Sequence, residues 1–569
     1  MAQLAARPFA VVLVLLSSLL LLVTVSKWFP ASSTHSSPQL QFTVDSVDEV
    51  LADFGPLCPG PEGVAEKGCF FFGLATAPAH VEDHLNDSWL EFAQATTPGI
   101  DPQTQKPRHL NVPAWHNVPV PEQRVRFWTD AETEIALAAA AGVTVYRMGV
   151  DWGRLVPQEP VHGTQAVVDR AALAHYRALL QQVRAHGMRV LLTLFHHSMP
   201  KWAIPYGGWT NQRTSPYFVE FSTLVHTELG DLVDYYVLFN EAHVFALLTY
   251  CSGNWPPGFA PSSFRFFQCL IPVYGDFFRA VDNMIAAHRA AYDAIHALPS
   301  KKTPVIGIAH LTSVFIPWSP FDIPAAIIGR FVNTWYIPDR LHDKLDFLGI
   351  NYYGQEVISG GATYIAPGVE YSDSGRAVFP DGLYQSLTAF HARYNAPGKT
   401  PLRFIVTENG VADDIDVMRP AYIVEHLLAV HAARREGVPV DGLFHWTLSD
   451  NWEWSDGYCP KFGMVAVDRA NNFTRHARPS YYLFQKIAQM GKITREQRAL
   501  SWQHLRAAVA RNATHPFCRA VSPSGKAFAE SLDVPVQRRL VDTDWRFSRI
   551  PSDAELSSYY QLSGSRKAA

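Results

Sequence analysis

The sequence predicts an α/β fold: eight parallel strands closed into a barrel with helices outside, an N-terminal membrane anchor before it and a C-terminal extension after it. Three observations carry this. Apolar runs of strand length recur eight times, the stretches between them have helical spacing, and one uncharged apolar segment stands at the start. That segment, Phe9–Val25, follows Arg7 and precedes Lys27 and Trp28; it is longer than the usual apolar core of a signal peptide and nearly reaches a bilayer span. Residues 1–28 are read as a retained anchor, with a cleavable signal ending near Ala31–Ser33 as the alternative. Residues 29–65 open on ASSTHSSPQ and read as linker and lead-in, 66–490 as the barrel and 491–569 as the extension.

In order, the strand-like runs are Cys69–Thr76, Val143–Trp152, Arg189–His197, Asp234–Glu241, Pro304–His310, Leu345–Tyr353, Leu402–Gly410 and Val440–Asp450. Helical spacing marks Asp130–Gly142 and Asp169–Gly187, the second closing on a glycine suited to a helix C-terminus. Within the extension, Arg495–Arg511 predicts a helix with charge on one face, and the last residues, QLSGSRKAA, read as a disordered tail. Such a run of strands and helices, closed on itself, is a (β/α)8 or TIM barrel.

Composition excludes several classes. Hydrophobic residues at 48% and charged residues at 18% supply a sizeable core. A net charge of −4 lacks the basic excess of a nucleic-acid binder, so no nucleic-acid partner is expected. No P-loop, H-E-x-x-H or dinucleotide fingerprint occurs, and neither a metal nor a cofactor is expected. The six cysteines show no metal-ligand spacing and no disulfide framework; Cys251 and Cys269 either pair within one loop or remain free buried thiols. Sequons at Asn86, Asn472 and Asn512 do not decide the compartment.

A barrel of this kind places its active site at the C-terminal strand ends. Here those ends carry hydrogen-bonding groups: His196, Asn240 with Glu241, His310, Asn351 with Tyr353, and Glu408 with Asn409. One polar strand end is ordinary structure; several converging on one rim make a site. Glu241 and Glu408, from the fourth and seventh strands, would face one pocket. Two facing carboxylates suit glycosidic bond chemistry with retention, one as nucleophile and one as acid and base, when their carboxyls stand about 5–5.5 Å apart.

The motifs LFNEAH (Leu238–His243), VTENG (Val406–Gly410), YRMGVDWGRLVP (Tyr146–Pro157), LTLFHHSMP (Leu192–Pro200), YGGW (Tyr206–Trp209), DFLGINYY (Asp346–Tyr353) and the stretch Trp446–Asp468 occur in one order. Together they resemble glycoside hydrolase family 1, from about Phe70 to about Gln485. The resemblance implies Glu408 as nucleophile and Glu241 as acid/base. Arg147 and Tyr353 would orient the nucleophile, and Asn240 would bind the sugar 2-hydroxyl. His196, Glu453 and Trp454 would hold other hydroxyls over a stacking floor at Trp446, for which core packing is the bland alternative.

Departures from the family pattern place His80 where a glutamine is usual, His197 where a tryptophan is usual, and Ala242 with His243 after the acid/base. His80 is carried over as sugar-binding, and His243 is expected to make the pocket sensitive to pH. A narrower group shares several departures: the sensitive-to-freezing type of galactolipid:galactolipid galactosyltransferase. It resembles this chain at Phe72–Asp83, Gly349–Glu356, Pro380–Tyr384, Ser449–Tyr458, Asp544–Phe547 and Glu49–Phe54. That resemblance implies an enzyme of freezing tolerance and lipid remodelling, N-terminally anchored in the chloroplast outer envelope membrane. Its galactolipid donor and acceptor would yield oligogalactolipids and diacylglycerol. The loops Asn254–Phe278 and Leu311–Pro338 are unusually apolar and are read either as acyl-chain contacts or as packed lids. Rival readings are a retaining β-glucosidase or β-galactosidase acting on soluble glycosides, and an inactive sugar-binding or scaffold protein.

Overall fold

The computed structural model describes residues 50–61, 63, 68–94, 98–100, 107–109, 124–161, 166–258, 263–272, 274–300, 302–395, 401–521, 525, 527–541 and 545. The expected anchor, most of the linker and the final tail lie outside the described residues. Among the described residues no helix is long and apolar enough to cross a membrane.

Eight strands close the barrel: β1 (Phe71–Ala75), β2 (Val145–Gly149), β3 (Arg189–Phe195), β4 (Tyr235–Asn240), β5 (Ile306–Leu311), β6 (Phe347–Tyr352), β7 (Arg403–Asn409) and β8 (Val440–His445). Each pairs in parallel with its neighbours in sequence, and β8 returns to β1. The near-continuous apolar runs reflect burial on both faces. One cluster of buried side chains takes a residue from every strand: Phe71, Val145, Leu191, Val237, Ala309, Phe347, Ile405 and Phe444. The opposite strand faces pack under the helices in a larger core.

Helices follow the strands in turn: α1 (Ala131–Ala140), α2 (Arg170–Ala185), α3 (Thr214–Leu229), α4 (Asp276–Ala297), α5 (Ile323–Arg330), α6 (Pro380–Tyr394), α7 (Arg419–Arg435) and α8 (Pro479–Met490). At the start of α2, the Asp169 carboxylate accepts from the Ala172 amide at 2.9 Å. At its end the chain turns through Gly187 at φ 78°, a left-handed conformation in which a side chain is strained. The turn feeds β3 within two residues, as the sequence pattern predicts.

Residues flanking the barrel are tied to it. Val50–Asp53, within the segment read as linker and lead-in, pairs antiparallel with Lys492–Thr494 beyond α8. The helix Arg495–Ala510 packs on α7, where the buried Arg498 guanidinium grips Glu425 at 2.7 and 3.0 Å. Beyond it, Thr514–Val521 and Ala527–Arg539 form a hairpin. Cys251 and Cys269 pair, the first of the two alternatives, and the expected absence of a disulfide framework is corrected. All six are paired, as Cys58–Cys69, Cys251–Cys269 and Cys459–Cys518, and none is free. Two bridges close short loops of 11 and 18 residues, whereas Cys459–Cys518 spans 59 and forms only when the hairpin docks.

Candidate active site

Glu408 lies one residue from the end of β7, nearly buried. The Arg147 guanidinium, from β2, donates to its Oε1 at 2.6 Å, and the Tyr353 hydroxyl, just beyond β6, donates to Oε2 at 2.6 Å. Arg147 is itself held by the Thr407 carbonyl at 2.9 Å and the Thr193 hydroxyl at 3.1 Å. Burial first, and then the negative charges of Glu408 and Glu241, hold Tyr353 well above the usual phenol range, so it remains a proton donor. The glycine of VTENG has a packing reason: a Cβ on Gly410 would lie 1.9 Å from the Trp446 carbonyl oxygen.

Glu241 occupies a different environment. It follows β4 with φ 44° and ψ 49°, a left-handed conformation that costs a side-chain-bearing residue about 1–3 kcal/mol. Its backbone is fixed there: its amide donates to Ala309 at 2.7 Å, and its carbonyl accepts from Val244 at 2.9 Å. One side-chain donor reaches its carboxyl, Asn351 Nδ2 at 2.7 Å on Oε1. Burial, and then the Glu408 charge, push Glu241 up to about 7; the Asn351 hydrogen bond and the cations Arg376 and Arg147 offset part of this.

Three side chains join the two carboxyls. Arg147 Nη2 donates to Asn240 Oδ1 at 2.7 Å, and Asn351 Nδ2 donates to that same oxygen at 3.1 Å while also reaching Glu241. The fourth and seventh strand ends therefore meet in one network, with Asn240 at its centre. Asn240 Nδ2 faces His196 Nε2 at 2.9 Å and His197 Nε2 at 3.3 Å. Because Asn240 offers a donor, His196 Nε2 accepts and its hydrogen sits on Nδ1, which has no partner. That N–H can serve a sugar hydroxyl.

Around this network stands an aromatic wall. The His80 ring lies 4.0 Å from Trp454 and 4.9 Å from Trp446, with Nδ1 on the Trp452 carbonyl. Trp446 Nε1 donates to Glu453 Oε1 at 3.0 Å. Burial holds the Glu453 carboxyl well above its ordinary range, helped by the charges of Asp456, Glu408 and Glu241. Trp454 packs against Trp89 at 4.9 Å and Trp255 at 5.4 Å. The structure thus brings His80, His196, Asn240, Trp446, Glu453 and Trp454 into one cluster beside Glu241 and Glu408.

The expectation for His243 is corrected. Burial, and then His310 and His197, hold it well below the ordinary histidine range, and both its ring nitrogens lack partners. Its cation is disfavoured there, so the imidazole is not the source of the pH response expected of it. Within this cluster, burial and the Glu408 charge push Glu241 up to about 7.

Sequence reasoning gave no role to Asn351, although its place at a strand end was the available signal. Trp89 lies in the short helix Ser88–Gln94 and Trp255 in a loop, where no strand register could place them. The reach of the extension was also missed. Arg519, in the hairpin, pairs with Asp456 at 2.5 Å, and Cys518 is bonded to Cys459, so the loop carrying Glu453 and Trp454 is braced from the C-terminal side. His515 adds a buried contact to Asp373 at 2.7 Å.

Comparison with known proteins follows this geometry. The profile of Glycosyl hydrolase family 1 matches residues 108–338 and 337–493. A protein of Arabidopsis thaliana named galactolipid galactosyltransferase SFR2, chloroplastic, is 46% identical over 90% of this chain and 86% of its own length. A rice protein named beta-glucosidase-like SFR2, chloroplastic, is 43% identical over 89% of this chain and 87% of its own. Among solved structures, a hyperthermophilic beta-glucosidase of Pyrococcus furiosus superposes with a TM-score of 0.61 at 26% identity, covering 76% of this chain and 97% of that one.

Proposed function

The chain belongs to glycosyl hydrolase family 1, and we propose that it is a retaining galactosyltransferase moving β-galactose between monogalactosyldiacylglycerol molecules. The products are oligogalactolipids and diacylglycerol. The observation that carries the chemistry is the contrast between the two carboxyls: Glu408 takes a cation and a phenol donor, while Glu241, joined to it through Arg147, Asn240 and Asn351, is pushed up to about 7. The galactolipid assignment is supported by the Arabidopsis relative.

In the first displacement Glu408 attacks the anomeric carbon and the bond to the glycerol oxygen breaks. Glu241, starting protonated, gives its proton to that oxygen, and diacylglycerol leaves. In the second, a hydroxyl of an acceptor galactose attacks the same carbon, Glu241 takes its proton, and the ester to Glu408 breaks. Two inversions retain the β configuration. Asn240 and His196 bind donor hydroxyls, with His80, Trp446, Glu453 and Trp454 shaping the remaining donor pocket. Transfer prevails over hydrolysis when the acceptor is held against the intermediate better than water competes.

The setting follows from the same reading: a barrel held at the chloroplast outer envelope membrane by residues 1–28, with 29–65 as tether and 491–569 bracing the catalytic body of 66–490. Incubation with monogalactosyldiacylglycerol dispersions, with Glu408→Gln as blank, tests it. Oligogalactolipid and diacylglycerol are expected; free galactose alone would make the protein a hydrolase.

A further inference from the structure

The loops after β4 and β5 leave the barrel at the end that carries Glu241, and they expose apolar side chains that a soluble surface normally covers. The four most exposed large apolar side chains among the described residues are Phe321 (94%), Phe264 (80%), Tyr274 (79%) and Phe267 (72%), and all lie on these loops. Ile328 and Trp318 add to the same rim. Within the helix Ser263–Cys269, Phe266 turns inward and packs on the core while Phe264 and Phe267 face out, so only part of this apolar loop is a packed lid.

Charge on these segments is one-sided. Residues 263–275 hold one charged side chain, Arg265, and residues 311–338 hold two, Arg330 and Asp322. Asp322 is buried, accepting from Ser319 Oγ at 2.6 Å and from the Gly360 amide at 2.6 Å, whereas Arg265 and Arg330 are exposed. The outward face is therefore aromatic and aliphatic with cations, and the partly exposed carboxylate at its edge, Asp276 at the start of α4, is paired with Arg279. Aromatic rings with a basic fringe suit the boundary between acyl chains and headgroups.

The rim is fastened to the catalytic groups. Val314–Pro317 pairs in parallel with Gln355–Ser359, which continues from Tyr353. Glu356 in that strand meets Arg376 at 3.3 Å, and Arg376 lies over the Tyr353 ring at 5.6 Å. On the other side, Cys251–Cys269 ties the helix Ser263–Cys269 to the segment that follows Glu241.

We propose that these loop tips form a membrane-docking face whose partner is the surface of a galactolipid-containing bilayer, so that the barrel mouth opens onto the lipid. The proposal rests on the galactolipid reading above and adds where the lipid meets the protein. It tilts the catalytic end toward the membrane, letting headgroups reach Glu241 without the acyl chains leaving the bilayer.

Environment-sensitive fluorophores test this on the full chain reconstituted with vesicles of monogalactosyldiacylglycerol and phosphatidylcholine. The label is placed at Phe321→Cys or Phe264→Cys, and at Arg435→Cys, exposed at the C-terminal end of α7, as control. Unchanged cleavage of a soluble aryl β-galactoside shows that each variant is folded. A blue shift, and severalfold quenching by brominated acyl chains, are expected at 321 and 264 and not at 435. Emission at 321 and 264 matching that at 435 would overturn the proposal, as would a shift that appears without lipid and grows with protein concentration, which would give the face to a second copy. The two readings separate by product: oligogalactolipid without insertion sinks the docking face alone, whereas insertion with only free galactose sinks the transferase reading and leaves the face standing.

Discussion

The Glu408 corner and the Glu241 corner of the mouth use the same residue type and treat it oppositely. Both oxygens of Glu408 are bound, one by Arg147 and one by Tyr353. Glu241 has one side-chain donor, a left-handed backbone, and two nearby histidines in the chain and the adjoining strand: His243 with both ring nitrogens unpartnered and His310 with Nε2 unpartnered. A satisfied corner holds a charge in place; an unsatisfied one leaves a proton mobile and leaves donors and acceptors for an incoming group. Role is thus assigned by surroundings rather than by the carboxyl itself.

Four experiments bear on that contrast. Removing the bound carboxylate has the largest effect: Glu408→Gln should abolish turnover of galactolipid and aryl galactoside alike, a loss on the order of 10⁶-fold as for other nucleophile deletions. Glu241→Gln should cost roughly 10²–10⁴-fold on galactolipid and much less on an aryl galactoside whose phenolate leaves without a proton. Equal losses on both substrates would erase the proposed difference between the corners. Next comes Tyr353→Phe, which deletes one donor to a charged group worth about 1.5–3 kcal/mol and should lower kcat about 10–100-fold with little change in KM.

The smallest effect is on pH. Glu241 must begin protonated, so kcat/KM should be full below its raised value and fall as pH rises through about 7. Asn351→Ala removes a donor that favours the charged form, and should carry the basic limb upward by about one pH unit. His243→Asn should leave the limb where it is, because that ring is already neutral. A limb that follows His243 rather than Asn351 would return the pH response to the histidine.

Much of the fold was legible because burial on both faces writes strands as continuous apolar runs. Glu241 and Glu408 were legible for a related reason: a polar group ending such a run has few places to point except the mouth. Other features left no local trace. Asn351 looks in sequence like any polar strand end, and its role appears only where it bridges Asn240 and Glu241. Cys459 and Cys518 lie 59 residues apart, and only the docked hairpin brings them together. His243 was misjudged because an imidazole's titration depends on which charges and how much water surround it, and a sequence lists neither.

By itself, then, the sequence determined the strand and helix periodicity, the polar endings, and the two acids set at the tips of the fourth and seventh strands. Period and composition act through local geometry, which travels with the chain. Tertiary structure alone decided which acid is gripped by a cation and a phenol, which is pushed up to about 7, which phenylalanines of one loop pack and which face out, and how the extension reaches the loop carrying Glu453 and Trp454. Those outcomes depend on distances between residues far apart in the chain, and a field or a contact exists only once such distances are fixed.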